Sequence, residues 1–520
     1  MPIDATGTLY TWVRDSAAAH PDQPALEVAG HQLGYAELID LADRLATRLV
    51  DAVGRPPHAV GLLAARSLAA YAGYLAALRC GATVVPLNPK FPAARNQSMC
   101  RLSGVDAVIF DDTGAAQAGA VLAGTAMAPV PLTGVWHAQL PTAPWDGPVT
   151  ADPDAVAYTL FTSGSTGIPK GVPIRHRNVG PYLRHCVERY GVGPGSRLSQ
   201  AFELTFDPSV FDMFVAWSAG AALVVPQADE VLNPARFVVR ERISHWYSVP
   251  SVVSLARRLR ALPPGCMPGL RWSLFAGEQL SLAQARTWAE AAPASTIENI
   301  YGPTELTITC VGYRLPADPG AWPRTSNGTV PIGAVYPHLE GILLDEHGVA
   351  TDDGELCVRG PQRFDGYVDP ADDTGRFVSY AAGGRATDTA PGPDSWYRTG
   401  DRVRVEDGAL VHLGRLDDQI KISGYRVELG EIESALRRHP GVADLVVLAV
   451  PGAAGTVELH AVHTGEEVPH TEFAGLLADL PEYMRPQWFH HRDALPTNLN
   501  GKTDRRRLTA ELLEPAAAAG

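Results

Sequence analysis

The hydrophobic positions of the chain follow two periods. Leu38, Leu41, Leu45 and Leu49 recur at spacings of three or four positions, which predicts a helix with one buried face. A second helical pattern over 69–79 stops at Gly81, and the apolar run ATVVPL that follows is typical of a buried strand. Comparable short apolar runs lie near residues 108, 223, 247 and 274. Strands that alternate with helices predict a mainly parallel, layered α/β domain.

The pattern changes from Gly328 onward. Short strand-like runs are separated by Gly and Asp turns, which predicts a β-rich subdomain. Residues 379–395 contain few apolar side chains, so we expect an exposed loop there. After Arg415 an amphipathic helix over 429–442 and a strand over 442–450 predict a small α+β unit. The predicted fold class is therefore α/β: a large N-terminal domain (1–416) of layered α/β subdomains plus a β-rich subdomain, and a small C-terminal α+β domain (417–520).

Composition and charge narrow the functional classes. The chain has 520 residues, of which 46% are hydrophobic and 19% charged, as in ordinary globular proteins. A net charge of −14 argues against nucleic acid as the main partner. The N-terminus lacks the pattern of a secretion signal, and the long apolar region 60–87 is interrupted by Arg66 and Arg79. The six scattered cysteines form no CxxC pair. We expect a soluble cytoplasmic protein that binds neither nucleic acid nor membrane.

The segment YTLFTSGSTGIPKG, residues 158–171, is the strongest chemical signal in the chain. Its glycines permit close approach of the backbone to a polyphosphate, its hydroxyls and amides donate hydrogen bonds, and its lysine supplies a cation. The spacing differs from the GxxxxGK[ST] of P-loop proteins. A plain Gly/Ser/Thr-rich linker is the alternative. The candidate phosphate-binding residues are Thr162, Ser163, Gly164, Ser165, Thr166, Gly167 and Lys170.

Two further segments place ligand-binding residue types beside glycine turns. In NIYGPTELTI (299–308), Tyr301 suits stacking on a purine, Thr304 suits a phosphate oxygen, and Glu305 suits Mg²⁺. In YRTGDRV (397–403), Asp401 suits two ribose hydroxyls. Each segment taken alone is more typical of an ordinary turn.

Two segments near the C-terminus contribute basic side chains. The first, GRLDDQIKISGYRVELGEIE (414–433), contains Arg415, Asp417, Lys421 and Gly424 ahead of a helix. The second, PTNLNGKTDRRRL (496–508), places Lys502 after an Asn-Gly turn, where a long cation is presented on a loop tip. An isolated lysine in such a position is usually a surface residue.

Together these segments resemble, in order and spacing, the core motifs of the ANL superfamily, which includes adenylation domains of nonribosomal peptide synthetases, acyl-CoA synthetases and luciferases. The resemblance runs from residue 78 to Lys502, and the individual motifs are most similar to amino-acid adenylation domains. Residues 360–368 and the long loop after Phe377 depart from the usual pattern.

The resemblance implies an ATP site. The loop from Thr162 to Lys170 would hold the β and γ phosphates; Asp401 and Arg415 would bind the ribose. Thr304 would contact the α-phosphate, Glu305 would ligate Mg²⁺, and Lys502 would bridge substrate carboxylate and phosphate oxygens. The residues implied around the nucleotide also include Gly277, Glu278, Asn299, Tyr301 and Lys421.

The resemblance also implies a second half-reaction. The phosphopantetheine thiol of a carrier protein would attack the aminoacyl-adenylate and form a thioester. Between the two steps the mobile C-terminal domain would rotate about Asp417, withdrawing Lys502 and bringing Gly424 to the tunnel for the pantetheine arm.

The segment FELTFDPSVFDMF (202–214) resembles the substrate-pocket motif of amino-acid adenylation domains. There Asp207 would pair with the α-ammonium group, whereas the alternative is a simple Asp-Pro turn. The other implied pocket positions are Pro208, Phe211, Tyr247, Leu274, Ala276, Ile300, Ile308 and Thr309. This lining is bulky and carries no second charge, so we expect a small neutral amino acid, with alanine ahead of proline, glycine and serine.

Three alternatives stay open at the level of the sequence. They are a carboxylate–CoA ligase, a D-alanine–carrier-protein ligase, and a catalytically silent binding module of the same fold. The chain shows neither a condensation motif nor a carrier-protein serine motif, so we expect a free-standing enzyme that loads a discrete carrier protein in natural-product biosynthesis; a domain excised from a larger synthetase is the competing reading.

Overall fold

A computed structural model of the chain describes residues 3–4, 6–149, 151–163, 169–231, 233–417, 419–422, 424–452, 457–496 and 503–513. Parallel sheets flanked by helices form its first part, as the alternation of apolar runs predicts. The helices are α1 (Leu9–Ala19), α2 (Tyr35–Val53), α3 (Leu68–Arg79), α4 (Ala93–Leu102), α5 (Ala115–Leu122), α6 (His176–Tyr190), α7 (Pro208–Ser218), α8 (Ala228–Val231), α9 (Pro234–Arg240), α10 (Ser251–Arg258), α11 (Leu282–Ala291), α12 (Leu429–Leu436), α13 (His470–Leu476) and α14 (Arg505–Leu513).

Two sheets organise the first 335 residues. One has the order β6-β5-β3-β4-β7-β8 and the other the order β15-β14-β13-β12-β11-β9-β10-β1-β2. The strands of the first are β3 (Ala59–Leu63), β4 (Thr83–Leu87), β5 (Ala107–Phe110), β6 (Ala128–Pro131), β7 (Val156–Thr162) and β8 (Lys170–Arg175). Those of the second are β1 (Pro24–Val28), β2 (His31–Gly34), β9 (Arg197–Ser199), β10 (Ala222–Val225), β11 (His245–Ser248), β12 (Trp272–Phe275), β13 (Thr296–Tyr301), β14 (Val311–Arg314) and β15 (Ala334–Val335).

The inner strands of both sheets run parallel, and antiparallel strands lie at the edges. The helix predicted from the leucine periodicity is α2, which buries Leu38, Leu45 and Leu49 and ends at Gly54 in the left-handed conformation. By contrast, α3 is buried along its whole length, because its alanines allow helices to pack on every side.

The second part of the chain is β-rich. Its main sheet is antiparallel and consists of β16 (Glu340–Leu344), β17 (Asp353–Arg359), β18 (Phe377–Ser379), β19 (Thr387–Asp388), β20 (Trp396–Glu406) and β21 (Ala409–Arg415). A hairpin of β22 (Gln419–Ile422) and β23 (Tyr425–Glu428) follows. The last sheet is formed by β24 (Val442–Pro451), β25 (Val457–Gly465) and β26 (Trp488–His491).

The observed C-terminal helix α12 is shorter than the pattern predicts. It ends at Leu436 instead of reaching residue 442, because Pro440 lacks the backbone N–H that would bond to Leu436 and its ring would clash with that carbonyl. Residues around α12, β24 and β25 form a hydrophobic core separate from the main one. The predicted fold class, with its layered α/β part, β-rich part and small α+β part, is confirmed. No helix within the described ranges is long and apolar enough to cross a bilayer.

Candidate functional site

The candidate site lies where the parallel strands β11, β12 and β13 end. Carboxyl ends of parallel strands meet at one edge of a sheet, so Tyr247, Ala276 and Tyr301 come together although they are far apart in sequence. The hairpin β22–β23 covers this edge. Two connected spaces result: a narrow cleft of about 110 Å³ and a wide cavity of about 940 Å³ that shares Gly277, Tyr301 and Asp401 with it.

Asp207 presents an uncommitted carboxylate oxygen to the narrow cleft. The residue immediately precedes α7, yet its side chain makes no capping hydrogen bond to that helix. Its Oδ2 atom is shielded from solvent and has no hydrogen-bond partner among the described residues. Burial raises the pKa of Asp207 to about 7, although the Thr304 hydroxyl and the Lys421 ammonium both lower it. A role in a turn or as a helix cap therefore does not explain why this carboxyl group is buried without a partner for Oδ2.

The other predicted pocket positions divide into three groups. Pro208, Tyr247, Ala276 and Ile308 line the narrow cleft together with Asp207, whereas Ile300 lines the wide cavity. The remaining three are buried behind these surfaces: Phe211 packs its ring edge-to-face on Tyr247 with 5.1 Å between centroids, Thr309 is hydrogen-bonded to Tyr182 and Tyr336, and Leu274 is fully enclosed.

One carboxyl group near the cleft was not expected. Asp212 on α7 is fully buried, and neither of its carboxylate oxygens has a partner among the described residues. Burial raises the pKa of Asp212 well above its ordinary value, which favours the neutral form. Asp212 does not line the cleft. Of these two carboxyl groups on or beside α7, it is therefore Asp207 that faces the cleft, where an incoming cation could reach it.

The predicted nucleotide residues border the wide cavity. Gly277, Glu278 and Asn299 line one wall, and the Asn299 amide is held by the carbonyl oxygens of residues 330 and 331 at 3.0 and 2.9 Å. Tyr301 donates its hydroxyl hydrogen to Asp401. Burial raises the pKa of the Asp401 carboxyl, but hydrogen bonding and positive charge nearby outweigh it and lower the pKa below the usual value, so Asp401 is ionised.

Arg415 and Lys421 supply the positive charge beside Asp401. The Nη1 atom of Arg415 lies 3.3 Å from Asp401 Oδ2. The Nε and Nη2 atoms of Arg415 each donate a hydrogen bond of 2.7 Å to the Asp417 carboxylate. Lys421 borders both spaces, and its burial lowers the pKa of its ammonium group. Asp417, the predicted pivot, is thereby tied to the wall of the cavity.

Glu305 is the ionised centre of a buried polar cluster. Its carboxylate accepts a hydrogen bond of 2.6 Å from the Tyr367 hydroxyl and contacts Arg426 Nη1 at 3.0 Å. Although burial opposes ionisation, the Arg426 charge and these hydrogen bonds lower the pKa of Glu305 to about 2. Thr304, the neighbouring residue, lines the narrow cleft.

The hairpin β22–β23 is docked into the site. The Gly424 amide donates to Glu278 Oε1 at 3.1 Å, and the backbone of Gly424 has a φ of +86° that favours glycine. The Ser163 hydroxyl donates to the Arg426 carbonyl at 2.8 Å and accepts from the Glu428 amide at 3.0 Å. Tyr425 stacks on Tyr483 with 3.9 Å between ring centroids. The hairpin therefore forms one wall of the narrow cleft.

The two described ends of the phosphate-loop candidate differ in their position relative to the site. Thr162 and Ser163 line the narrow cleft, whereas the Lys170 ammonium pairs with Asp372 at 2.9 Å and lies 5.7 Å from the centre of the Tyr367 ring. The predicted residues Gly164, Ser165, Thr166, Gly167 and Lys502 lie outside the described residues.

Several residues of the site were not predicted from the sequence. Arg426 pairs with Glu305, His412 bonds to Asp401, and Tyr367 donates to Glu305. Arg426 lies within the 414–433 segment, two residues after Gly424, so its position in that motif was an available signal. No local pattern distinguishes His412, which the sheet brings to the site. Tyr367 lies in the 360–368 segment, whose sequence did not indicate a contact with Glu305.

The chain was also compared with protein families, curated proteins and solved structures. A family model described as AMP-binding enzyme matches residues 13–368, which is more than half of the chain. The chain belongs to this family. The predicted resemblance to the ANL superfamily is confirmed.

The relatives of this chain differ in their length and in the activity that their names describe. Over 99% of its length the chain is 37% identical to phosphinothricin tripeptide synthetase PhsC of Streptomyces viridochromogenes, but it spans only 46% of that protein. It is 34% identical to an L-proline--[L-prolyl-carrier protein] ligase of Streptomyces coelicolor, with 99% of both chains covered. The crystal structure of the Vibrio cholerae adenylation domain AlmE with glycyl-adenosine-5'-phosphate has a TM-score of 0.82 at 26% identity and covers 98% of each chain.

Proposed function

We propose that this AMP-binding enzyme activates a small neutral α-amino acid with ATP and transfers the aminoacyl group to the phosphopantetheine thiol of a carrier protein. The observation that carries the proposal is the unpartnered Oδ2 atom of Asp207 in a cleft of otherwise mostly apolar walls. A buried carboxylate is stable only with a cation beside it, and the α-ammonium group of an amino acid supplies one.

The size of the cleft supports a small side chain. Tyr247, Phe202 and Ile308 occupy the space beyond Asp207, and the ring of Phe202 packs on Tyr247 with 4.7 Å between centroids. Alanine remains our first choice, with proline, glycine and serine as alternatives. Two relatives named above fit this class, since one is a proline ligase and the other was crystallised with a glycyl adenylate.

Magnesium would bind at Glu305. The carboxylate is ionised at neutral pH, and carboxylate oxygens are the protein ligands that Mg²⁺ prefers. Within the described ranges no group of three His, Cys, Asp or Glu side chains surrounds a common point, which is compatible with an ion held by one carboxylate, water and phosphate oxygens. When bound, the ion would neutralise charge on the polyphosphate.

The remaining residues would hold and orient the nucleotide. Asn299 and Tyr301 would frame the base, Asp401 and Arg415 would bind the ribose, and the 162–170 loop would bind the β and γ phosphates. Thr304 would donate to the α-phosphate. The amino-acid carboxylate attacks the α-phosphorus and pyrophosphate leaves, a reaction that depends on alignment and charge neutralisation. We assign the bridging cation of this step to Lys502.

The docked hairpin supports an arrangement suited to the second half-reaction. Gly424 and Tyr425 lie in the wall of the cleft. This is the position that we expect the hairpin to occupy after the C-terminal domain has rotated towards the adenylate. We therefore place the domain boundary between residues 416 and 417, with Asp417 as the pivot, and the pantetheine arm beside Gly424. The thiolate attacks the adenylate carbonyl, the thioester forms and AMP leaves.

Loading of a thiol acceptor tests the proposal. Purified enzyme is incubated with ATP, Mg²⁺, either alanine or a simple carboxylic acid that lacks an amino group, and either a phosphopantetheinylated carrier protein or free CoA, and the products are identified by mass spectrometry. The proposal predicts an aminoacyl-carrier thioester. Exclusive formation of acyl-CoA from a carboxylic acid without an amino group would instead establish a carboxylate–CoA ligase.

A further inference from the structure

The imidazole of His412 lies between Asp401 and Gln279 in the wall of the wide cavity. Its Nε2 atom is 2.9 Å from Asp401 Oδ1, and its Nδ1 atom is 3.0 Å from Gln279 Nε2. All three residues border the cavity. The ring also lies 5.8 Å from the ring of Tyr301, at an angle of 38° between the planes. His412 therefore contacts both the carboxylate and the aromatic side chain proposed to bind the nucleoside.

A β-bulge brings this side chain to the cavity. Asp401 pairs with Arg415 and Arg402 with Gly414, but Val403 then pairs with His412 because one residue of β21 is skipped. Directly opposed residues of antiparallel strands point to the same face, and successive residues alternate. Without the bulge Leu413 would stand opposite Val403, so the bulge is what places His412 on the face of Asp401.

The hydrogen bonds of Gln279 determine which imidazole nitrogen carries the proton. Gln279 Nε2 lies 2.9 Å from the carbonyl oxygen of His412, which is only an acceptor, so this atom must be the amide nitrogen. The same NH₂ group faces Nδ1, which must then accept. The proton of the neutral ring is consequently on Nε2, where it is donated to Asp401.

We propose that His412 is a positioning residue for ribose recognition: held by Gln279 as the Nε2–H tautomer, it fixes Asp401 to accept hydrogen bonds from the two ribose hydroxyls. This inference rests on the proposed use of ATP. Asp401 Oδ2 is already contacted by Tyr301 and Arg415, and His412 takes one acceptor position of Oδ1. A carboxylate oxygen has about two such positions. Arg415 faces Oδ2 as an ion pair and not as a hydrogen bond, so each of the two oxygens keeps one position for a ribose hydroxyl.

Kinetics with modified nucleotides tests the role. His412→Phe keeps a ring beside Tyr301 and removes the donor, and His412→Gln restores an N–H donor. We expect His412→Phe to raise the KM for ATP by roughly 10–100-fold, the usual value of a hydrogen bond to a charged group, with little change in kcat. The KM values for 2′-deoxy-ATP and 3′-deoxy-ATP should change much less, and His412→Gln should recover part of the loss.

An unchanged ratio of ATP to deoxy-ATP KM values in His412→Phe would overturn the proposal. Glu340→Gln, at the exposed start of strand β16, is the control and should leave every KM unchanged. Failure of the wild-type enzyme to use ATP would contradict the proposed function itself and is thus distinguishable from failure of the His412 role.

A measurement on the wild-type chain avoids dependence on variant folding. Long-range ¹H–¹⁵N NMR spectra of ¹⁵N-histidine-labelled enzyme, assigned by the signal lost in His412→Phe, report the protonated nitrogen. The proposal predicts that Nε2 carries a proton and that Nδ1 acts as an acceptor. A proton on Nδ1 would contradict it.

Discussion

The Nη1 atom of Arg426 lies 3.0 Å from Oε1 of Glu305, although 121 residues separate them in the sequence. This contact joins the hairpin β22–β23 to the carboxylate proposed to bind magnesium. The Glu305 side chain is fully buried and the Arg426 side chain nearly so. Two cations cannot share this carboxylate at short range without strong repulsion. Hairpin docking and metal binding should therefore oppose each other.

Removing the guanidinium should strengthen metal binding. In Arg426→Gln, Glu305 has no competing cation, so the affinity for Mn²⁺ in the presence of a nonhydrolysable ATP analogue should rise at least about fivefold, the lower end of typical coupling between two ligands. Electron paramagnetic resonance of free Mn²⁺ measures this directly. Arg398→Gln breaks a comparable ion pair with Glu355 in the β-rich sheet and serves as the control. Equal Mn²⁺ affinity in wild type and Arg426→Gln would refute the competition.

The Asp207 carboxyl should make amino-acid use dependent on pH. Its pKa of about 7 in the free enzyme means that the group is largely neutral at lower pH, whereas an ammonium ion requires the carboxylate. We expect kcat/KM for the amino acid to rise with pH until about 7 and then to level off, provided that the substrate remains an ammonium ion. Initial rates of pyrophosphate release, measured from about pH 5.5 to about pH 8.5, check this, because the range spans the expected pKa. A profile without a step near 7 would show that Asp207 is not the group that titrates.

Replacing Asp207 should reduce amino-acid activation far more than replacing Asp212. Asp207→Asn leaves the ammonium ion without its counter-charge, a loss that corresponds to roughly 10²–10³-fold in kcat/KM. Asp212 is already favoured as the neutral acid, so the isosteric Asp212→Asn should change kcat/KM little. Both are measured by ATP–pyrophosphate exchange. Similar losses in the two variants would point to damage of α7 instead of a missing ion pair.

A side chain at position 424 should impair thioester formation selectively. A Cβ atom there would lie 2.9 Å from Val249 Cγ1 and 3.3 Å from the Phe206 ring, and the positive φ adds a strain of about 1–2 kcal/mol for any L-residue. We expect Gly424→Ala to slow carrier loading while ATP–pyrophosphate exchange continues. Gly408→Ala has a similar φ in an open turn and controls for strain alone. Parallel loss of both half-reactions would contradict a role confined to the docked hairpin.

Replacing Lys502 with alanine should impair the adenylation step and spare the transfer step. Loss of one preorganised cation at the transition state should lower the rate of pyrophosphate exchange by roughly 10²–10³-fold. Transfer from preformed aminoacyl-adenylate to the carrier protein should continue, since Lys502 is assigned to the first step only. Wild-type exchange rates in this variant would remove Lys502 from the mechanism.

The sequence predicted the architecture because the hydrophobic periods and glycine turns are local. The alternation of α3, β4 and the later apolar strands is visible residue by residue, and the motifs around Asp207, Tyr301 and Asp401 all contribute to the narrow cleft. The contacts that the sequence did not predict join residues that are far apart in the chain. Arg426 meets Glu305 only when the hairpin docks, and His412 faces Asp401 only because of a bulge that no local pattern announces. The raised pKa of Asp207 likewise arises from burial by separate elements.

Hydroxylamine-trapped adenylation tests the central claim most directly. The enzyme is incubated with ATP, Mg²⁺ and a panel of L-, D- and β-amino acids and simple carboxylic acids, with Asp207→Asn alongside, and the hydroxamates are quantified. The account predicts signal confined to small neutral α-amino acids and its loss in Asp207→Asn. A preference for aryl, fatty or β-amino acids, or full activity of Asp207→Asn, would contradict the assignment of Asp207 as the ammonium anchor.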